Sequence, residues 1–282
     1  MTISEGDVTV DGSRIHYLQA GETGPPLVLL HGGIIDAARV SWGAVLEALA
    51  ADYRVYAPDL LGYGGSDLPA GALTMERHVD TIAGFLDALD VEAPTVVGLS
   101  MGGAIGLGLA LDNPDRIERL VLVDSYGLGR ELPNGLFSYA LARVQVFNKI
   151  AIALFRRSRR FTRASLGGIV HDLDALDDAA VDAVFEEVQR PTAGAAFRKF
   201  RDSEVTRDGY RTCYLDALDD LAVETHLLHG AHDEVVPLAW AERAAERIPD
   251  SSLTVLNDCA HWPPRENPQA VVEFVRDATS QN

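Results

Sequence analysis

Thr95-Val96-Val97-Gly98-Leu99-Ser100-Met101-Gly102-Gly103-Ala104-Ile105-Gly106 is the stretch on which the reading of this chain turns. A β-branched run at 95–97 passes directly into small residues that suit a helix. Ser100 stands at the junction, inside Gly98-x-Ser100-x-Gly102. A tight strand-to-helix turn of this kind lifts its serine into a strained, exposed conformation. The flanking glycines are needed where side chains would meet the neighbouring strand or helix. The helix start then turns N–H groups and a partial positive charge toward developing negative charge. A serine N-cap among packing glycines would use the same letters. The strand before and the helix after favour a nucleophile.

Working outward, the N-terminal segment reads as a hairpin. Val8, Val10, Ile15 and Tyr17 alternate with polar residues about the turn dipeptide Asp11-Gly12. Short apolar runs follow at 27–30, 54–57, 95–98, 120–123, 226–229 and 253–256. Between them, 42–50, 74–89, 101–111, 239–247 and 269–278 carry apolar residues at helical spacing. Unbroken apolar strands alternating with helices imply an α/β architecture: a mostly parallel sheet covered on both faces. From about Gly127 to Leu215 the alternation stops. No convincing strand is read there, while 138–155 and 179–188 have helical patterns.

Two further segments flank the elbow in a telling order. Leu29-Leu30-His31-Gly32-Gly33 lies before it, as does Ala57-Pro58-Asp59-Leu60-Leu61-Gly62-Tyr63-Gly64-Gly65-Ser66-Asp67. With Gly98–Gly102, they make the chain similar to the α/β-hydrolase superfamily over nearly its whole length, the 127–215 stretch excepted. The resemblance implies an α/β-hydrolase fold with a core at 1–126 and 216–282 and a helical cap inserted at 127–215.

A serine hydroxyl needs a base to take its proton. Of eight histidines, His261 sits in Asp258-Cys259-Ala260-His261-Trp262-Pro263-Pro264, after the last apolar strand, where the family places its catalytic histidine. The acid implied by the resemblance is Asp233, in His229-Gly230-Ala231-His232-Asp233-Glu234-Val235-Val236-Pro237. It would hold the imidazole in the right tautomer. The order Ser100, Asp233, His261 is the one this fold uses. Asp124, at the end of the 120–123 strand, is the competing acid, and Glu234 would point elsewhere. His31 reads as a brace for its loop; His16, His78 and His171 lie in no motif. His226, His229 and His232 recur every third residue, but odd offsets on a strand fall on opposite faces. No metal site is expected from them.

Two N–H donors must face the oxygen of a tetrahedral intermediate. Met101 and Gly33 are the expected pair, with Gly32, Leu99, Trp262 and Arg190 as expected substrate contacts. Leu136, Phe137, Leu141, Val144, Phe147 and Leu154 would divide between packing and lining an acyl pocket. Arg156, Arg157, Arg159, Arg160 and Arg163 form a basic cluster better explained as a solvated face. The resemblance implies a carboxylic-ester hydrolase acting through an acyl-enzyme, with no cofactor and a small-molecule ester or related acyl substrate. A serine at the elbow argues against the dehalogenase and epoxide-hydrolase relatives, which carry aspartate there. The second reading is a C–C hydrolase of the meta-cleavage-product type, to which His261-Trp262 and Gly102-Gly103 are similar. Those enzymes usually carry Asn where this chain has Leu99, and Gly-Pro-Gly where it has Gly32-Gly33-Ile34-Ile35. A non-catalytic binding protein on the same scaffold is the third reading, and it would be marked by a broken triad.

Composition sets the outer bounds. The 282 residues carry 42 acidic and 24 basic side chains, a formal charge of −18. Such a surface repels nucleic acid and anionic membranes, so neither is an expected partner. All but two of the basic residues, Lys149 and Lys199, are arginines. Salt adaptation explains this first, a GC-rich genome second. No run is long enough to span a membrane and no secretory signal opens the chain, so it reads as cytoplasmic, a monomer or homodimer. Cys213 and Cys259 read as free thiols.

Overall fold

The computed structural model describes residues 2–132 and 152–280. Eight strands form one sheet: β1 (Ser4–Val10), β2 (Ser13–Ala20), β3 (Pro26–Leu30), β4 (Arg54–Pro58), β5 (Thr95–Leu99), β6 (Arg119–Val123), β9 (Glu224–Gly230) and β10 (Ser251–Leu256). Their order across the sheet is β1-β2-β4-β3-β5-β6-β9-β10. The β1–β2 and β2–β4 pairings are antiparallel and the remainder parallel. The expected hairpin forms, with Asp11 at φ 46 and Gly12 at φ 74. Positive φ at both central residues is the turn that matches strand twist.

Beyond their first residues, Thr95 and Arg119, the central strands β5 and β6 are apolar throughout because helices cover both faces. Every residue of β5 and of β6 is buried. One apolar cluster gathers Val28, Leu30, Val96, Leu120 and Leu122; the other gathers Leu27, Leu29, Val97, Val121 and Val123. Period-two alternation between clusters is what a doubly covered strand requires. The edge strand β10 is less buried and alternates.

Helix α1 (Ala38–Leu49) starts four residues before the apolar pattern that announces it. Its N-terminus has no side-chain cap of its own. Instead the Ala38 N–H donates to Asp59 Oδ1 at 2.8 Å, from 21 residues away. Asp59 also accepts from Gly65 N–H at 2.7 Å and pairs with His16 Nδ1 at 2.9 Å. Burial pushes this carboxyl up, but His16, then His31 and the two amides, outweigh it and hold it below the usual carboxylate range. Helix α2 (Met75–Ala88) is capped locally by Thr74, which accepts from Arg77 N–H.

Between β6 and β9 the described chain forms helix at 152–157, α4 (Arg159–Leu166), α5 (Asp178–Gln189) and α6 (Ala195–Glu204). The helix expected at 179–188 is α5. The one expected at 138–155 lies outside the described residues up to 151, as do Leu136, Phe137, Leu141, Val144 and Phe147. Against expectation, the stretch also holds a small antiparallel pair, β7 (Val205–Thr206) with β8 (Gly209–Tyr210). Two-residue strands are too short to show an alternation. The arginine cluster clamps helix to helix: Arg159 pairs with Asp178 and Asp182, and Arg163 with Asp178. Such exposed pairs each contribute little. Buried residues here join the two sheet clusters, Leu166, Val181 and Val184 on one face, Ala196 and Phe200 on the other.

Candidate active site

Ser100 occupies the sharp turn between β5 and α3 (Met101–Asp112), at φ 50 and ψ −114. A non-glycine residue held there costs on the order of 1–3 kcal/mol and persists only where the surroundings impose it. They do so here. Ser100 N–H donates to Val123 O at 2.9 Å, and Ser100 O accepts from Tyr126 N–H at 3.1 Å. A Cβ on Gly98 would come within 2.4 Å of Gly102 O, and one on Gly102 within 2.3 Å of Leu30 O. The two flanking glycines are thus required by the closeness of backbone to backbone.

The chain ends of β9 and β10 bring the other two expected residues to this serine. His261 Nε2 lies 3.0 Å from Ser100 Oγ, and His261 Nδ1 lies 2.7 Å from Asp233 Oδ2. Asp233 Oδ1 accepts from Val235 and Val236 N–H at 2.7 and 2.9 Å, which leaves Oδ2 to face the ring. A carboxylate only accepts, so Nδ1 carries the proton and Nε2 is free to accept from the serine. The backbone of His261 is anchored by its N–H to Ile169 O at 3.0 Å. Glu234 is exposed.

Asp124 does not contact His261. It is fully buried, and its Oδ1 accepts from Gly230 N–H at 2.8 Å. Burial first, and then the neighbouring Asp233, raise its carboxyl well above the usual carboxylate range. Asp124, His229 and Asp233 bring ligand-type atoms within 4.8 Å of one another. His229 Nε2 donates to Val236 O at 3.0 Å and Asp233 Oδ2 faces His261, while Asp124 Oδ2 is buried with no hydrogen-bond partner among the described residues. The triple-spaced histidines diverge, with His226 bonded to Ser252 and Glu224, and His232 stacked on His171 at 3.9 Å.

Around Gly32 and Gly33 a buried network fixes the loop. His31 Nδ1 donates to Gly32 O at 2.8 Å, while its Nε2 accepts from Leu60 N–H at 2.9 Å. Asp36 Oδ2 accepts from Gly32 N–H at 2.8 Å; Ser41 Oγ donates to Asp36 and accepts from Trp262 Nε1 at 3.1 Å. Burial raises the Asp36 carboxyl. Glu266 accepts from Ala260 N–H at 3.0 Å and from Trp262 N–H at 3.1 Å, holding the His261 loop from below. Sequence reading passed over Asp36, Ser41 and Glu266. Glu266 alone left a local signal, a carboxylate four residues after Trp262 at the start of a short helix.

Over Ser100 lies a cavity of about 290 Å³ lined by Gly32, Gly33, Leu99, Met101, His261 and Trp262 from the sheet side. Leu166, Ile169, Val184, Phe197 and Phe200 close it from the 152–210 stretch. Arg190, expected as a substrate contact, is not among the lining residues. It follows the last turn of α5, whose buried face is Val181, Val184 and Val188. It opens instead onto a separate groove with Glu5, Arg39 and Asp59, its Nε 3.7 Å from Glu187.

The sheet order, the elbow and the loops at the strand ends define an α/β hydrolase, and the chain belongs to the alpha/beta hydrolase fold family, which it matches over residues 25–268. Among curated proteins it is 31% identical to a 2-hydroxy-6-oxo-2,4-heptadienoate hydrolase of Pseudomonas putida, over 94% of this chain and 91% of that one. It is 30% identical to a 2-hydroxymuconate semialdehyde hydrolase of a Pseudomonas species, over 96% and 92%. Among solved structures, 2-hydroxy-6-oxo-6-phenylhexa-2,4-dienoate hydrolase from a Rhodococcus species superposes with a TM-score of 0.85, at 25% identity and 99% of both chains. No helix among the described residues is long and apolar enough to cross a membrane.

Proposed function

We propose that this hydrolase cleaves a carboxylic ester of a small or medium acyl substrate through an acyl-enzyme, with Ser100 as nucleophile, His261 as base and Asp233 as orienting acid. The observation that carries this reading is the unbroken line Ser100 Oγ, His261, Asp233 at 3.0 and 2.7 Å. In it, His261 Nε2 takes the serine proton as Oγ attacks the acyl carbon, and later returns it to the leaving alcohol. Asp233 stabilises the imidazolium that forms between the two steps. Water then repeats the sequence on the acyl-enzyme.

The oxyanion is received by the N–H groups of Met101, at the start of α3, and of Gly33. The Gly33 N–H has no protein acceptor among the described residues. Asp36 and Trp262 then act on this donor pair indirectly, through Gly32 and Ser41. The stretch 127–215 serves as a cap that closes the acyl pocket; its leucine, valine and phenylalanine contacts suit an apolar acyl group. No step calls for a cofactor.

The second reading, C–C hydrolysis, is favoured by the activities of the relatives at 30 and 31% identity. Against it stand Leu99 beside the nucleophile and the position of Arg190 outside the cavity. Turnover of an aryl ester compared with a vinylogous 1,5-diketone acid separates the two. Ester turnover at the higher kcat/KM is expected, and turnover of the diketone alone would overturn the first reading.

A further inference from the structure

Among the described residues, six other than glycine hold a left-handed backbone: Asp11, Ile34, Asp90, Ala93, Ser100 and Asp124. Three are aspartates, whose short polar side chains tolerate that conformation, and Ala93 carries only a methyl group. Ile34, at φ 68, is the β-branched member of the set. Branching at Cβ makes the conformation a genuine outlier there. Two of the six line the cavity: the nucleophile Ser100 and Ile34.

The bend at Ile34 is imposed by Asp36. Its two carboxylate oxygens accept from Gly32 N–H and from Ala37 N–H, each at 2.8 Å, and so close a tight loop about residues 33–35. Glycine or asparagine at position 34 would meet this bend with less strain. Packing does not ask for isoleucine either. Ile34 is 51% exposed, the most exposed large apolar side chain among the described residues. Its neighbour Ile35 is the one that packs against the apolar cluster behind the loop. Both the strain and the exposure therefore stand without compensation inside the folded chain. Strain of this kind persists at ligand contacts, and an apolar group beside a cavity gains when an apolar ligand covers it. The surroundings suit such a ligand. Phe197 of α6 also lines the cavity, and its ring stands over Gly33, where a Cβ would lie 3.1 Å from it.

We propose that Ile34 is a specificity-determining residue: its side chain, together with the ring of Phe197, holds an apolar arm of the substrate where that arm leaves Ser100 past the oxyanion loop. The substrate class is then a carbonyl compound with an alkyl or aryl arm long enough to reach residue 34. This rests on the serine-hydrolase reading of the cavity but not on which bond is cut.

The test uses two ladders of esters. One lengthens the acyl arm, from 4-nitrophenyl acetate to the octanoate; the other lengthens the alcohol arm, from methyl to hexyl butyrate. Wild type is expected to gain in kcat/KM with length along one ladder. Ile34→Gly should reduce the long-to-short ratio on that ladder by about fourfold or more, the fold-change carried by one buried methylene. The loss should fall on KM of the long ester, and Tm should not drop, because glycine adopts the bend freely. Ile34→Asn, polar but also at ease in a left-handed backbone, should lower the ratio equally, and Ile34→Leu should keep most of it. A ratio unchanged in the Gly and Asn variants overturns the proposal. So does an equal loss on short and long esters, which would make Ile34 a support for the loop and not a contact.

A binding arm separates this from the function itself. In Ser100→Ala, 2-decanone should bind more tightly than 2-butanone by calorimetry, and adding Ile34→Gly should reduce that gain by about fourfold or more. Failure of every ester to turn over, with the gain in ketone affinity still dependent on Ile34, overturns ester hydrolysis and leaves the subsite standing. A gain that is absent, or the same with and without Ile34, overturns the subsite.

Discussion

The two sides of the cavity are specified in different ways. On the sheet side, each functional group sits where backbone geometry admits little choice: Ser100 at φ 50, Gly98 and Gly102 with no room for a Cβ, Asp233 and His261 on loops at adjacent strand ends. On the helical side, Val184, Phe197, Arg201 and Tyr210 reach the same space from elements that would tolerate other side chains. On the proposed function, chemistry is fixed by main-chain contacts, and selectivity by side chains that the main chain does not dictate.

The contrast can be broken most forcibly at the base. His261→Ala is expected to lower kcat about 10⁴-fold with a small change in KM, because proton transfer is lost and the acyl pocket is not. Steady-state kinetics on one ester checks this, and a loss confined to KM would contradict it.

Next comes stability. Gly102→Ala should destabilise by about 3 kcal/mol or more, since its methyl would collide with backbone that cannot move aside. Val184→Ala, on the opposite wall, removes methyl groups from a side chain only 4% exposed and should cost about 1–2 kcal/mol. Chemical unfolding of both variants tests the ordering. The same Val184 variant should alter acyl-length preference by a few-fold, because it enlarges the cavity without touching the elbow.

The smallest expected effect lies outside the cavity, in the separate groove beside Arg190. Glu187, on α5, has its carboxyl pushed up to about 7, by burial first and further by the charge of Asp59, with Arg190 opposing. An acid whose folded value exceeds its unfolded value of 4.5 binds more protons when folded. Its contribution is therefore most favourable at low pH and is lost as pH rises through about 7. Glu187→Gln should flatten the fall in Tm across that window and raise Tm slightly at pH 8 relative to wild type. A Tm profile parallel to wild type would count against this placement of the carboxyl.

What the sequence made legible follows the same division. Buried strands declare themselves because covering both faces demands unbroken apolar runs, and the elbow declares itself because close backbone demands glycine. The start of α1 did not, since the acceptor of its first N–H is Asp59, far along the chain. Trp262 is expected from the sequence to touch substrate. It does line the cavity, but its indole N–H is spent on Ser41, 221 residues away, in a brace no local pattern reveals. Arg190 and Arg201 look alike as letters. Only the packing of α5 and α6 turns the first outward and sets the second on the wall of the cavity over Ser100.

The central claim is that Ser100 is a nucleophile activated by His261. Treatment with a serine-reactive fluorophosphonate, followed by peptide mass spectrometry, tests it most directly. A single adduct on Ser100 is predicted in wild type, with labelling slowed at least about a hundredfold in His261→Ala. Absence of the Ser100 adduct in folded wild-type protein, or labelling at an undiminished rate without His261, would contradict it.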